Sequence, residues 1–142
     1  MTERLEADCI FCSIIKGDIP SRKIFEDENT LAFLDIFPAN PGHSLVIPKF
    51  HVTDIHDATA DEYAIIAKSS KVVADLLQAK LNPDGTTIFQ MNKAPGWQTV
   101  FHAHMHVIPR WQGDSLQNPW QTKPGIDAEL HETFYKVTGM AE

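Results

Sequence analysis

Phe101-His102-Ala103-His104-Met105-His106-Val107 alternates apolar and imidazole side chains without a slip. In an extended strand the two sets face opposite sides of a sheet. A strand is therefore expected from Val100 to Ile108, with Phe101, Ala103, Met105 and Val107 packed against a helix. Packing accounts for that apolar set but gives no reason for three successive imidazoles on the other face. Strand residues two apart are separated by about 6.5 to 7 Å, and His102 and His106 by about 13 Å. Three such rings cannot act together on one atom. The middle ring, His104, is placed for chemistry, with His106 in reach of the same reacting group and His102 displaced toward a different task. Neutral imidazole is a competent nucleophile near pH 7.

Upstream, Thr86 to Met91 reads as a further strand, and the polar loop Asn92 to Thr99 joins it to the histidine strand. From Thr59 to Leu81, Ile65, Ile66, Val72, Val73, Leu76, Leu77 and Ala79 recur at helical spacing. Thr59 and Glu62 form a capping box at the start, and Asn82-Pro83-Asp84-Gly85 ends the run. This helix should cover one sheet face. His43 to Pro48 reads as a strand whose terminal proline suggests an edge or an exit. Lys23 to Glu26 and Thr30 to Asp35 read as a hairpin around Asp27-Glu28-Asn29. Ile10 to Ile15 reads as a short helix stopped by Gly17-Asp18-Ile19-Pro20, and Asp127 to Val137 as a terminal one. The fold class is α+β: a mostly antiparallel five-stranded sheet with one long helix and short N- and C-terminal helices. One domain over 1–142 is expected, with its core over about 9–110 and a C-terminal extension over 111–142.

Composition narrows the function. Apolar residues make up 43% and charged residues 22%, values near those of folded soluble chains. The formal charge of −7 argues against a general nucleic-acid binder, which needs excess Lys and Arg for phosphate backbones. A small phosphorylated ligand remains compatible, because backbone N–H groups and imidazoles act locally. No apolar run approaches a membrane span, and the charged start Met1 to Asp8 lacks the pattern of a signal peptide, so cytoplasm is expected. Cys9 and Cys12, spaced Cys-x-x-Cys, suggest metal or redox chemistry rather than a structural disulfide there.

His102-Ala103-His104-Met105-His106-Val107-Ile108 resembles the motif that names the histidine-triad superfamily of nucleotide-binding proteins. Its flanks, Gln98-Thr99-Val100-Phe101 and Pro109-Arg110, resemble those of the motif too. So do Cys9-Ile10-Phe11-Cys12-Ser13-Ile14-Ile15, Phe33-Leu34-Asp35-Ile36, and Pro41-Gly42-His43-Ser44-Leu45-Val46-Ile47-Pro48-Lys49. The likeness runs from about residue 9 to 110 and looks closest to the Hint-like branch, bacterial type. It implies a nucleotide hydrolase or transferase acting at the α-phosphate of a purine nucleotide conjugate through a covalent nucleotidyl-histidine. His104 matches the nucleophile, while His106 and Thr99 would bond the phosphate oxygens or the departing group. Asp35 matches the ribose partner, and Phe11, Ile14, Phe33 and Ile36 match the base pocket, although core packing would equally explain those four. His43, Asn92 and Gln98 would lie near ribose or phosphate. An AMP-type substrate and a homodimer are also implied, with the long helix and a central strand at the interface.

Some members of the superfamily hold structural zinc with a Cys-x-x-Cys, a histidine after the Ile-Pro-Lys strand and the first histidine of the triad. Here those are Cys9, Cys12, His51 and His102. The alternative is that the cysteines are small buried hydrophobes and His51 is a surface residue. His56 and His131 read as solvent-exposed.

The chain departs from the family pattern at Lys93, Pro95 and Trp97, in a loop that is usually small and Gly-rich; Trp97 would narrow the site or stack on a substrate. Phosphoramidates or acyl-adenylates are the favoured substrates, and dinucleoside polyphosphates the alternative. Two further readings compete. One is a zinc enzyme using His-x-His as ligands, which lacks a nearby carboxylate base. The other is a nucleotide-binding module with little turnover. No role is assigned to the stretch from Trp111 onward, including Trp120 and Phe134.

Overall fold

The first helix, α1 (Ile10–Lys16), is set by its two ends: the Cys9 sulfur accepts from the Cys12 N–H at one, and Gly17 at φ 85° closes the other. Glycine adopts that left-handed geometry without steric cost. A computed structural model describes residues 4–141; Met1–Glu3, read above as part of the charged start, and Glu142 lie outside the described residues.

Strands β1 (Lys23–Glu26) and β2 (Thr30–Leu34) pair antiparallel. Asp27 makes the turn between them, its Oδ1 accepting from the N–H groups of Asn29 and Thr30 and from the Thr30 hydroxyl. Then come β3 (Ser44–Pro48), α2 (Ala60–Leu81), β4 (Gly85–Phe89), β5 (Met105–Arg110) and α3 (Asp127–Thr138). Both hydrogen bonds of the Thr59–Glu62 capping box are made, and Asn82 at φ 51° ends α2. Among the described residues one five-stranded antiparallel sheet forms, ordered β1-β2-β3-β5-β4.

Side-chain parity divides that sheet into two faces. Ala32, Val46, Met105 and Val107 point to one side and pack with Ile66, Val73 and Leu77 of α2. Burying each of those three helix residues contributes about 1.5 to 3 kcal/mol. Ser69 and Ser70 share the buried stripe, whereas Val72 and Ala79 face outward. Leu31, Phe33, Leu45 and Ile47 point to the other side and pack with Phe11 and Ile14 of α1. Because α1 has only 7 residues, it covers part of that face and leaves the rest as the wall of a cavity.

The histidine segment departs from expectation. β5 begins at Met105, not Val100, so His102 and His104 precede the strand and only His106 lies in it. β3 pairs with β5 over Val46↔Met105 to Ser44↔Val107 alone; beyond that point the Ala103 N–H bonds to the Val52 carbonyl. This bend lets His102 and His104 serve different places. Ala103, Met105 and Val107 do pack beneath α2, but Phe101 is 49% exposed. The terminal proline of β3 marks an exit and not an edge: β3 has neighbours on both sides, and Pro48 is buried.

After β5, Asp114 ties the chain to the body. It accepts from Arg110, Asn40 and the N–H groups of Trp111 and Leu116. Those bonds, the Arg110 guanidinium first, hold its carboxyl well below the usual range. α3 buries none of its residues. No helix among the described residues is long and apolar enough to cross a membrane.

Candidate functional site

A cavity of about 760 Å³ opens between α1, the β2–β3 connection and the histidine segment. Phe11, Ile14, Phe33, Asp35, Ile36, Thr99, His104 and His106 all line it, from three separate stretches of sequence, 11–14, 33–36 and 99–106. His43 sits behind His106. Asn92 and Gln98 lie in the loop that precedes the histidines, and their side chains tie it to the segment after β3. Asn92 Oδ1 accepts from the Ile55 N–H. The buried Gln98 accepts from the Lys93 N–H and donates to the carbonyls of Thr53 and Val100.

Hydrogen bonds to groups of fixed polarity set the tautomer of each ring. A carbonyl oxygen can only accept, so His104 Nδ1 carries a proton and donates to the His102 carbonyl at 2.7 Å. The lone pair of the neutral ring is then on Nε2. Burial lowers the pKa of His104, opposed by the His102 carbonyl and Asp35, and so favours that neutral form. His43 Nδ1 accepts from the Ala39 N–H at 2.9 Å. Its proton is therefore on Nε2, which donates to His106 Nδ1 at 2.9 Å and lies 3.6 Å from an Asp35 carboxylate oxygen. This leaves the His106 proton on Nε2, a buried atom with no hydrogen-bond partner among the described residues. Burial, with His104 and His43 adding to it, pushes His106 down to about 3. Phe89 of β4 stacks on the His106 ring at 4.5 Å and 11°. The sequence reading missed Phe89, whose only signal is its cross-strand register with His106.

The cavity thus presents a lone pair on Nε2 of His104 and a buried donor on His106 unpaired among the described residues, the rings 5.0 Å apart. A nucleophile beside a hydrogen-bond donor can attack an electrophilic centre and hold the oxygen or leaving atom attached to it.

His102 faces elsewhere. Its Nε2 donates to the Pro48 carbonyl at 3.0 Å, which turns unprotonated Nδ1 toward Cys9 Sγ at 3.4 Å and Cys12 Sγ at 3.5 Å. His51 Nδ1 lies 3.4 Å from Cys12 Sγ. All four ligand atoms fall within 4.8 Å of one another. Tetrahedral zinc with ordinary bond lengths has S–N edges of about 3.5 Å, so the donor set and its spacing fit that ion. N–H groups of Glu6 and Cys12 point at the two sulfurs, as thiolate ligands require. Asp35, His43 and His106 also lie close together. Their 2.9 Å N–N contact is shorter than the N–N edge of about 3.3 Å around zinc, and matches a hydrogen-bonded chain.

Trp97 sits at φ 75° after a 3-10 turn, Ala94–Gly96, a backbone geometry natural to glycine. Its ring is half exposed and lies against Trp120 at 5.6 Å, outside the cavity lining. His56 and His131 are exposed.

Sheet order, triad geometry and the Cys/His cluster together define a histidine-triad fold, and comparison with known proteins agrees. The HIT domain family model matches residues 16–113, and the chain belongs to the HIT family. An uncharacterized HIT-like protein of Methanocaldococcus jannaschii is 45% identical over 131 residues, covering 92% of this chain and 99% of its own. The Arabidopsis thaliana adenylylsulfatase HINT3 is 34% identical over 112 residues, covering 79% of this chain and 57% of its own. A zinc-bound histidine triad protein of Mycobacterium smegmatis superposes with a TM-score of 0.75 at 41% identity, covering 80% of this chain and 84% of its own.

Proposed function

We propose that the protein is a hydrolase or nucleotidyl transferase acting at the α-phosphate of a purine nucleotide conjugate, a nucleoside phosphoramidate or acyl-adenylate. The observation that carries this reading is the His104 Nδ1–H bond to the His102 carbonyl, which leaves the Nε2 lone pair free in a residue lining the cavity. Phe11, Ile14, Phe33 and Ile36 take the base and Asp35 the ribose. The α-phosphate then lies among His104, His106 and Thr99. His104 Nε2 attacks phosphorus, the bond to the leaving group breaks with its electron pair, and the His106 Nε2–H bonds the phosphoryl oxygen or the departing atom. Water then attacks the nucleotidyl-histidine, the P–N bond breaks, and nucleoside monophosphate leaves. His43, bonded to His106 Nδ1, keeps the His106 donor aimed. The Arabidopsis relative's name, adenylylsulfatase, fits cleavage beside an adenylyl phosphorus.

Cys9, Cys12, His51 and His102 would hold a structural zinc, which pins α1 to the segment before β5 and takes no part in the reaction. A homodimer in the cytoplasm completes the reading. The edge strand β4 exposes Ile88 and the outer face of α2 exposes Val72, and light scattering in solution tests the dimer.

The deciding experiment incubates the protein with adenosine phosphoramidate, quenches in acid-free denaturant and measures intact mass. An added AMP moiety on wild type, absent from His104→Ala with turnover down at least about a thousandfold, supports the assignment. Undiminished turnover in His104→Ala would overturn it.

A further inference from the structure

The cavity carries the polar side chains of Asp35, Thr99, His104 and His106 and is otherwise lined mainly by apolar side chains such as Phe11, Ile14, Ile19 and Phe33. Two side chains in its lining break that apolar character, Ser21 and Arg22. Ser21 Oγ is buried and has no hydrogen-bond partner among the described residues. A buried hydroxyl without a partner is costly and calls for a missing one. Arg22 is exposed, and its side chain makes no hydrogen bond or ion pair with the described residues. Its carbonyl accepts from the Leu34 N–H at 3.0 Å, which fixes the segment beside β2, one residue before Asp35. An unsatisfied hydroxyl and an unpaired guanidinium therefore share the wall against which an apolar ring would lie.

We propose that Ser21 and Arg22 read the hydrogen-bonding edge of the base and make the site prefer 6-oxopurine nucleotides, guanine or hypoxanthine, over adenine. The proposal rests on the nucleotide reading above, with phosphate at the histidines and base against the apolar side chains. The chemistry of the edges decides the direction. Guanine and hypoxanthine present two acceptors side by side, O6 and N7, whereas adenine presents N7 beside an N6 donor. A guanidinium only donates, so it pairs with both atoms of the first edge and meets a donor on the second. The serine hydroxyl both donates and accepts. It bonds either purine, and its loss weakens both.

The test measures kcat/KM for guanosine and adenosine phosphoramidates carrying the same amine, and calorimetric Kd values for GMP, IMP and AMP. Wild type, Arg22→Met and Ser21→Ala are compared. Arg22→Met keeps the length of an exposed side chain and removes its donors, so the fold is undisturbed. Wild type is expected to favour guanosine about fivefold or more, the low end for a bidentate contact open to solvent. IMP should bind like GMP. Arg22→Met should bring the ratio toward one by weakening guanosine and IMP, with kcat unchanged. Ser21→Ala should weaken all three nucleotides severalfold and leave the ratio. Equal wild-type affinities, or a preference that survives Arg22→Met, overturns the proposal. Base discrimination in Kd without turnover of either phosphoramidate would sink the reaction assignment and leave base reading standing. Failure of all three nucleotides to bind sinks both.

Discussion

His104 Nδ1 donates to the main-chain carbonyl of His102 at 2.7 Å. One residue of the motif thereby fixes the tautomer of the other through its backbone, while its own ring points away toward two sulfurs. His102 thus serves the cavity with its carbonyl and the Cys/His cluster with its ring, so each can be disturbed separately.

Zinc loss should reduce stability far more than turnover. At free zinc a thousandfold above its Kd, bound metal contributes about 4 kcal/mol. Elemental analysis is expected to give one zinc per chain. Cys12→Ser should lower Tm by several degrees or more, and chelator-treated protein that stays folded should retain most of its turnover. Equal Tm with and without the metal would refute the structural assignment.

Removing His43 should misaim His106. In His43→Ala the His106 Nδ1 loses its donor, its tautomer is released, and kcat should fall about tenfold to a hundredfold with little change in KM. The double variant His43→Ala/His106→Ala should be no slower than His106→Ala alone, because residues in one hydrogen-bonded chain do not add. Additive losses in kcat would mean that His43 acts by another route.

Acid should destabilise the fold through His106. Burial depresses its folded pKa to about 3, below the unfolded value of about 6.5. Between those limits the unfolded state binds the extra proton, so stability is fully present above pH 6.5 and lost as pH falls toward 3. Denaturant titrations from pH 7 to 4 should show a slope smaller by up to one proton in His106→Phe than in wild type. An identical slope would place the charge uptake elsewhere.

The α2 face supplies a check on the fold. Ile66 is fully buried against the sheet, so Ile66→Ala should cost about 2 to 5 kcal/mol. Val72→Ala, on the exposed side of the same helix, should change monomer stability by less than about 1 kcal/mol. Chemical denaturation of both variants decides it.

The sequence by itself determined the elements whose causes are local. The capping box at Thr59 and Glu62, Gly17 after α1 and the Asp27 turn each rest on residues within a few positions, and each is found where the pattern placed it. Which side chains of β2 and β3 meet α2 and which meet α1 came from the tertiary structure, because both parities of those strands are apolar and buried. The motif order was enough to name the family. Only the tertiary structure decided where the histidine strand begins, because a covered sheet buries both parities and alternation cannot tell an extended approach from paired strand. Phe89 on His106, His43 behind it and Ser21 without a partner among the described residues come from contacts between distant segments. Tautomers, too, depend on carbonyls and N–H groups brought up by other strands, which no spacing along the chain encodes.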